Sequence, residues 1–401
     1  MGKRTDMKSA KKAASVSNSV GEDTANTARS ASSTSKLESM AEKRPEQVVL
    51  IMQGGGALGA FQAGVYEAMH EAGMEPDWVV GTSIGAINAA LIVGNEPSER
   101  LVRLREFWAL VSSATTSAAL WNVPGSGNLV QNLGAVANGV PGFFTPNYRA
   151  LLGGQASPGA AAASYYQVKP LRQTLDRLVD FGYLADGKIR LTLGAVNVRS
   201  GRMRYFDSRV DAIHLDHVMA SGALPPAFPA VNIDGEWYWD GGVYSNTPIE
   251  VVMDDSPRRN SLIFATRLWQ QEGDAPQSIS QVMSRYKDIQ YASRVDSHTA
   301  RQQQIHHLRH VVRQLGSLLP ASQIEKPAVR DLLALGCGTV MHVISLQAPA
   351  REDDDHLKDL DFTPTGIAAR WDAGRDFARR QIAAAPWNEA VDPVMGIVVH
   401  R

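Results

Sequence analysis

The segment Gly81-Thr82-Ser83-Ile84-Gly85 holds a serine midway between two glycines. The residues before it, "DWVVG" (77–81), read as a short strand, and "SIGAINAALIVG" (83–94) reads as a helix rich in small residues. A G-x-S-x-G sequence at a sharp strand-to-helix turn forces the serine side chain outward, and small flanking residues let the two chain segments approach. The start of the following helix favours negative charge developing beside the serine. This pattern suits nucleophilic attack on a carbonyl, which also needs a base and an oxyanion site. The alternative is a packing turn with an inert serine.

The oxyanion site has a candidate upstream. In "VVLIMQGGGALGAFQAGVYEAM" (48–69), Gly54, Gly55 and Gly56 lie between an apolar run and a helical one. Gly54-x-Gly56-x-x-Gly59 also fits the loop that cradles a dinucleotide pyrophosphate. That use requires an acidic residue at the end of the second strand, to hold the ribose hydroxyls. Gly81-Thr82-Ser83 stands there instead, and Asp77 precedes the strand. Amides converging at a helix N-terminus bind a small anion of any origin. The glycines therefore read as donors to a transient oxyanion.

The base is less obvious. None of the ten histidines sits in a recognisable triad context. His306 and His310 have helical i, i+4 spacing but no accompanying carboxylate motif, and read as surface residues rather than metal ligands. Asp240, in "YWDGGVYSNTP", is the better candidate. It follows a strand-like run and precedes Gly241 and Gly242, which permit close backbone approach. Its competing reading is a turn aspartate capping its own loop.

The elements that must position these residues follow from hydrophobic patterning. "VVLIM" (48–52) is a continuous β-branched run, typical of a strand buried on both faces. "AFQAGVYEAMHEAG" predicts a helix ending near Gly73. Strand, loop and helix then recur around Ser83, which indicates a parallel sheet flanked by helices. Residues 165–179 predict an amphipathic helix with Pro170 near its start. Residues 189–207 predict two strands joined at Ser200-Gly201. Further strands are expected at 261–269 and 339–347, with helical stretches near 278–316 and 363–383.

Taken together, Gly54-Gly55-Gly56-Ala57-Leu58-Gly59, Gly81-Thr82-Ser83-Ile84-Gly85 and Asp240-Gly241-Gly242 resemble the motifs of the patatin-like phospholipase family, in order and in spacing. "GAVNVRSG" (194–201) and "ALPPAFPAV" (223–231) are similar to family segments between them, and the likeness runs from about residue 46 to 265. Residues 358–378 resemble an extension found in a bacterial subgroup. The resemblance implies a three-layer α/β/α sandwich with a mainly parallel central sheet. It implies a Ser-Asp dyad, Ser83 as nucleophile and Asp240 as base, with the oxyanion held by Gly54, Gly55 and Gly56. Gly59, Gly81, Gly85, Gly241 and Gly242 support the motifs. Many family members carry Arg or Lys where Leu58 stands.

The implied activity is that of a serine acyl hydrolase, a phospholipase A or lipid esterase, acting on a phospholipid or other acyl ester without metal or cofactor. Two alternatives are an acyltransferase with the same dyad and a non-catalytic protein of lipid or granule surfaces. A net charge of −1, from 40 basic and 41 acidic residues, leaves no electrostatic footprint for nucleic acid. Cys337 is the only cysteine, so no intramolecular disulfide forms and a reducing compartment is favoured. The expected location is the cytoplasm, with peripheral membrane contact left open, since no apolar run reaches spanning length.

Three parts are expected along the chain. Residues 1–45 are rich in Ser, Ala, Lys and Thr and predict a disordered tail. Residues 46–265 form the catalytic domain. Residues 266–401 form a mainly helical C-terminal extension with an added strand. Residues 112–166, dense in Gly, Ala, Ser, Pro and aromatics, read as a lid, a substrate-entry wall or a poorly ordered insertion. The acidic run at 352–355 lacks calcium-ligand spacing and reads as a solvated loop.

Overall fold

The computed structural model describes residues 45–112, 137–148, 150, 159–292, 295–351 and 354–401. The N-terminal tail, much of the 112–166 segment and residues 352–353 of the acidic run lie outside the described residues. In chain order the strands are β1 (Gln47–Met52), β2 (Trp78–Thr82), β3 (Thr145–Pro146), β4 (Tyr166–Gln167), β5 (Arg190–Asn197), β6 (Met203–Asp207), β7 (Val231–Ile233), β8 (Glu236–Asp240), β9 (Ser261–Arg267), β10 (Met341–Gln347) and β11 (Ile397–His400). The main sheet runs β11-β10-β9-β1-β2-β5-β8-β7, with β6 paired to β5, while β3 and β4 pair separately.

The pairs from β11 through to β5 are all parallel. Antiparallel pairing begins only beyond β5, with β6, β8 and β7. β1 has a parallel partner on each side, β2 and β9, and every one of its residues is buried. Its unbroken apolar run is therefore explained: both faces of the strand meet protein.

Alternate β1 residues feed two separate cores. Val48, Leu50 and Met52 join one, Val49 and Ile51 the other. The first core is closed by α1 (Ala60–Glu71), α2 (Ile84–Val93), α3 (Pro97–Ser112) and the C-terminal helix α8 (Pro364–Ala384), through side chains such as Phe61, Leu91, Trp108 and Ile382. The second core is closed by α5 (Ile249–Met253), through Ile249, Val252 and Met253. The remaining labelled helices are α4 (Leu215–Ser221), α6 (Ile279–Ala292) and α7 (Val295–Ser317). Helices on both faces of a mainly parallel sheet are the α/β/α arrangement expected from the sequence.

His306 and His310 differ from their expected surface position. Both are buried on one face of α7. His306 Nε2 lies 3.2 Å from the Met253 carbonyl, and the two ring nitrogens of His310 meet the carbonyls of Pro393 and Thr339. Their spacing thus serves packing of α7 against α5 and the β10–β11 edge. Among the described residues no group of His, Cys, Asp and Glu could hold a metal ion.

The segment after β9 is integral to the sheet. It supplies β10 and β11, and α8 lies directly on α1. The two helices touch backbone to backbone. A Cβ on Gly64 would fall 1.9 Å from the Trp371 carbonyl oxygen, and one on Gly374 would fall 2.0 Å from that of Phe61. Trp371 Nε1 donates to Glu67, which also receives Arg105 at 2.6 Å. Residues 46–401 form one compact unit by their internal contacts. A side chain at the crossing must push α8 off α1, and overpacking costs about 1–3 kcal/mol or more. Gly374→Leu is expected to lower the melting temperature by circular dichroism accordingly, whereas an exposed-position control such as Asp376→Leu leaves it near wild type.

Candidate active site

Ser83 is the residue between β2 and α2, and its backbone is strained. Its φ is 57° with ψ −125°, a region that L-residues rarely occupy. Such conformations cost on the order of 1–3 kcal/mol and persist only where the surroundings over-determine them. The surroundings here are tight. Gly85 passes so close to β1 that a Cβ would fall 2.2 Å from the Met52 carbonyl oxygen, and Gly81 and Gly59 similarly face Gly85 and Ile84. The Ser83 amide donates to Ser221, to the carbonyl at 3.1 Å and to Oγ at 3.2 Å. Ser221 Oγ in turn donates to the Gly194 carbonyl at 2.6 Å.

Asp240 reaches the serine through strand register. β2 runs along one edge of β5 as far as the pair Thr82–Gly194. The next β5 residue, Ala195, pairs with Asp240. β6 occupies the opposite edge, from Thr192 to Val196. β2 and β8 therefore share one edge of β5 end to end, which brings the residue after Thr82 beside Asp240. The turn after α4 ties the two together, since the Asp240 amide donates to the Ala223 carbonyl at 3.0 Å.

The Asp240 side chain is fully buried. Oδ1 accepts from the Gly242 amide at 2.7 Å. Oδ2 is buried and meets no acceptable hydrogen-bond geometry among the described residues. The neighbouring Ser83 hydroxyl is nevertheless close enough to stabilise the carboxylate. Burial outweighs that help and pushes the carboxyl up to about 7, with the nearby Ser83 hydroxyl and the Gly242 amide opposing. Burial disfavours the charged form, and donors to it favour it. Asp240 thus does cap its own loop, and it also keeps one oxygen uncommitted toward Ser83.

The three glycines of the loop have different positions. The Gly54 amide donates to the Asn246 carbonyl at 3.3 Å. Among the described residues the amides of Gly55 and Gly56 meet no acceptor. The Gly54 carbonyl is held by Asn246 Nδ2 at 3.0 Å and Trp269 Nε1 at 2.8 Å. Gly56 has φ +55°, and a Cβ there would fall 2.3 Å from the Asp359 carbonyl oxygen. Behind the loop is a buried polar network. Gln62 Nε2 donates to the Gln53 carbonyl at 2.6 Å, and Asn88 Nδ2 donates to the Gly59 carbonyl and to Gln62 Oε1, each at 3.0 Å. Both ends of the loop are fixed by amide side chains.

A cleft enclosing about 1020 Å³ of empty space, part of it open to solvent, meets Ser83, Asp240 and Gly54–Gly56. Its apolar lining is an aromatic cluster. Phe144 lies 4.8 Å from Tyr166 and 5.4 Å from Phe228, and Phe143 lies 5.8 Å from Phe362, ring centre to ring centre. The Trp269 and Tyr291 rings lie 4.9 Å apart, tilted by 34°, beside the glycine loop. The Tyr291 hydroxyl is pushed up to about 12, by burial first and by the Asp240 charge second, so it stays neutral.

Ser221, Asn246 and Trp269 were not legible as site residues, because each acts on backbone groups far away in sequence. Asn246 alone had a local signal, six residues after Asp240 in the same motif. Asp77, which the nucleotide reading needed elsewhere, accepts the Val48 amide at 2.8 Å and anchors β1.

A family model described as patatin-like phospholipase matches residues 50–253, half of the chain, and the chain belongs to that family. A second model, described as patatin phospholipase, matches residues 289–394. Lysophospholipase nte1 of Aspergillus terreus is 54% identical over 44 residues, a stretch that spans 11% of this chain and 3% of that protein. Among solved structures, VipD from Legionella pneumophila aligns over 85% of this chain and 67% of its own, at 16% identity and a TM-score of 0.37. ExoU in its complex with SpcU from Pseudomonas aeruginosa aligns over 88% and 74%, at 16% identity and a TM-score of 0.30.

The raised Asp240 pKa has a sign in stability. Between the ordinary carboxyl range near pH ~4 and pH 7 the folded protein holds a proton that the unfolded chain has released. Stability from this group is therefore present at low pH and is lost as pH rises through about 7. Asp240→Asn is expected to melt higher than wild type at pH 8, with the gap closing toward pH 4, as read by differential scanning fluorimetry across pH.

Proposed function

We propose that the protein is a serine acyl hydrolase of the phospholipase A or lipid esterase type, with Ser83 as nucleophile and Asp240 as base. The single observation that carries this reading is the shared β5 edge, which sets the uncommitted Asp240 Oδ2 beside a strained, cleft-facing serine. Family membership and the aromatic cleft support a lipid substrate.

In this mechanism Asp240 Oδ2 takes the Ser83 proton as Oγ bonds to the ester carbonyl carbon. The carbonyl electron pair moves to oxygen, and the amides of Gly55 and Gly56 hold that oxyanion. Gly54 shapes the loop through its bonds to Asn246 and Trp269. The oxyanion collapses, the alkoxide leaves and takes the proton from Asp240. Water then attacks the acyl-serine and gives a proton to Asp240. The fatty acid departs and Ser83 recovers that proton. An oxyanion donor of this kind is worth about 2.7–4 kcal/mol. The α2 dipole adds to it, pointing its positive end at Ser83.

A base buried in an apolar cleft suits the task better than a solvated aspartate, because a pKa near the working pH makes proton acceptance favourable. A phospholipid or another acyl ester fits the cleft: apolar along the aromatic cluster, polar at the glycine loop. Reaching a lipid in a membrane requires peripheral contact with its surface. Among the described residues no helix is long and apolar enough to cross it.

Two outcomes are expected. Ser83→Ala loses p-nitrophenyl acyl ester hydrolysis by at least about three orders of magnitude, as expected for loss of an activated nucleophile, and keeps its circular dichroism spectrum. In wild type, kcat/KM rises with pH through about 7 and levels off above it, since only ionised Asp240 accepts the proton. A flat profile between pH 5 and 9 would exclude Asp240 as base.

A further inference from the structure

The cleft is completed by a part of the chain that lies far beyond the three motifs. Asp359, Leu360 and Phe362 line it together with Ser83 and the glycine loop. The Asp359 carbonyl lies against Gly56 closely enough to bar any side chain there. Phe362 is almost fully buried and joins the aromatic cluster through Phe143.

This wall has little regular structure of its own beyond a single 3₁₀ turn at Lys358–Leu360. It is held by charge instead. Arg370, from α8, bridges Asp361 at 2.7 Å and Asp354 at 3.0 Å. Lys358 reaches both oxygens of Asp288 on α6, at 2.8 and 3.0 Å. Lys287, its neighbour on α6, bonds Asp359 at 2.7 Å. The side chains of Arg370, Asp361, Lys358 and Asp288 are all less than 10% exposed. Buried ion pairs contribute little net stability against apolar replacements, and their best-attested use is to fix register. Here the register they fix is that of a segment whose apolar side chains face the cleft.

We propose that residues 354–363 are the inner wall of an acyl-chain subsite, and that Phe362 sets how long a chain it accepts. The inference rests on the acyl-hydrolase reading for its substrate class. Ion pairs on α6 and α8 hold the wall; Phe362 supplies the bulk that an acyl chain meets when it runs from Ser83 along the aromatic lining. Removing that bulk extends the room for methylene groups, and each methylene in an apolar pocket is worth roughly tenfold or more in discrimination.

The test compares octanoyl and hexadecanoyl p-nitrophenyl esters. Phe362→Ala is expected to raise the hexadecanoyl-to-octanoyl ratio of kcat/KM by about tenfold, and Phe362→Trp to lower it. Phe362→Leu, a smaller change, shifts the ratio in the same direction as Ala and serves if the Ala variant melts below the assay temperature. Unchanged ratios in folded variants would overturn the wall while leaving the hydrolase reading standing. If wild type hydrolyses neither ester, the hydrolase reading fails and calorimetric binding of octanoate and hexadecanoate decides the wall. A shifted ratio of Kd values in the Phe362 variants sustains it, and an unshifted ratio overturns it.

Discussion

One strand edge governs the site. β5 carries Thr82 on Gly194 and Asp240 on Ala195, two consecutive residues. A slip of either neighbour by one residue would turn its side chains to the opposite face and part Ser83 from Asp240. The rest of the structure keeps that edge in register. Two separate cores clamp the sheet from both faces, and the end of α4 with the turn after it bonds to both partners through Ser221 and Ala223. The strain at Ser83 is sustainable because these contacts leave its backbone no alternative.

The same economy of backbone contacts explains the glycines. Gly85 lets α2 start against β1, and Gly56 lets the Asp359 carbonyl seat the glycine loop. Where the loop lacks a basic residue, at Leu58, the structure has a buried apolar side chain. Organisation behind the loop falls to neutral amides, Gln62 and Asn88, whose hydrogen bonds fix both loop ends without adding charge. Neutral support is consistent with an Asp240 whose pKa is governed by burial, with no cation among its causes.

Much of this was legible in the sequence where the signal is local. The β1 run, the strand–turn–helix around Ser83 and the β5–β6 pair joined at Ser200-Gly201 follow from period and turn chemistry, and they fall within a residue or two of expectation. The long helix α3 was not among the expected elements, although Leu101, Leu104, Trp108 and Val111 recur at helical spacing within 97–112. β11 is only four residues long, and its Ile397-Val398-Val399 run is too short to mark a strand without the pairing to β10. Ser83 and Asp240 were each marked by local sequence, and the resemblance joined them as a dyad; the physical cause of their pairing, the common β5 edge, is a tertiary register that no local pattern encodes. The burial of His306 and His310 was likewise invisible, since their partners are carbonyls on distant segments.

The central claim is that Ser83 is a nucleophile activated by Asp240, and it can be read on the covalent bond itself. The protein is treated with a fluorophosphonate at pH 8, digested, and its peptides are mapped by mass spectrometry. The account predicts one stoichiometric phosphonyl adduct, on Ser83, with labelling slowed at least about a hundredfold in Asp240→Asn, the scale of a lost general base. Full-length wild-type protein that stays unlabelled at Ser83, or an Asp240→Asn variant labelled at the wild-type rate, would contradict it.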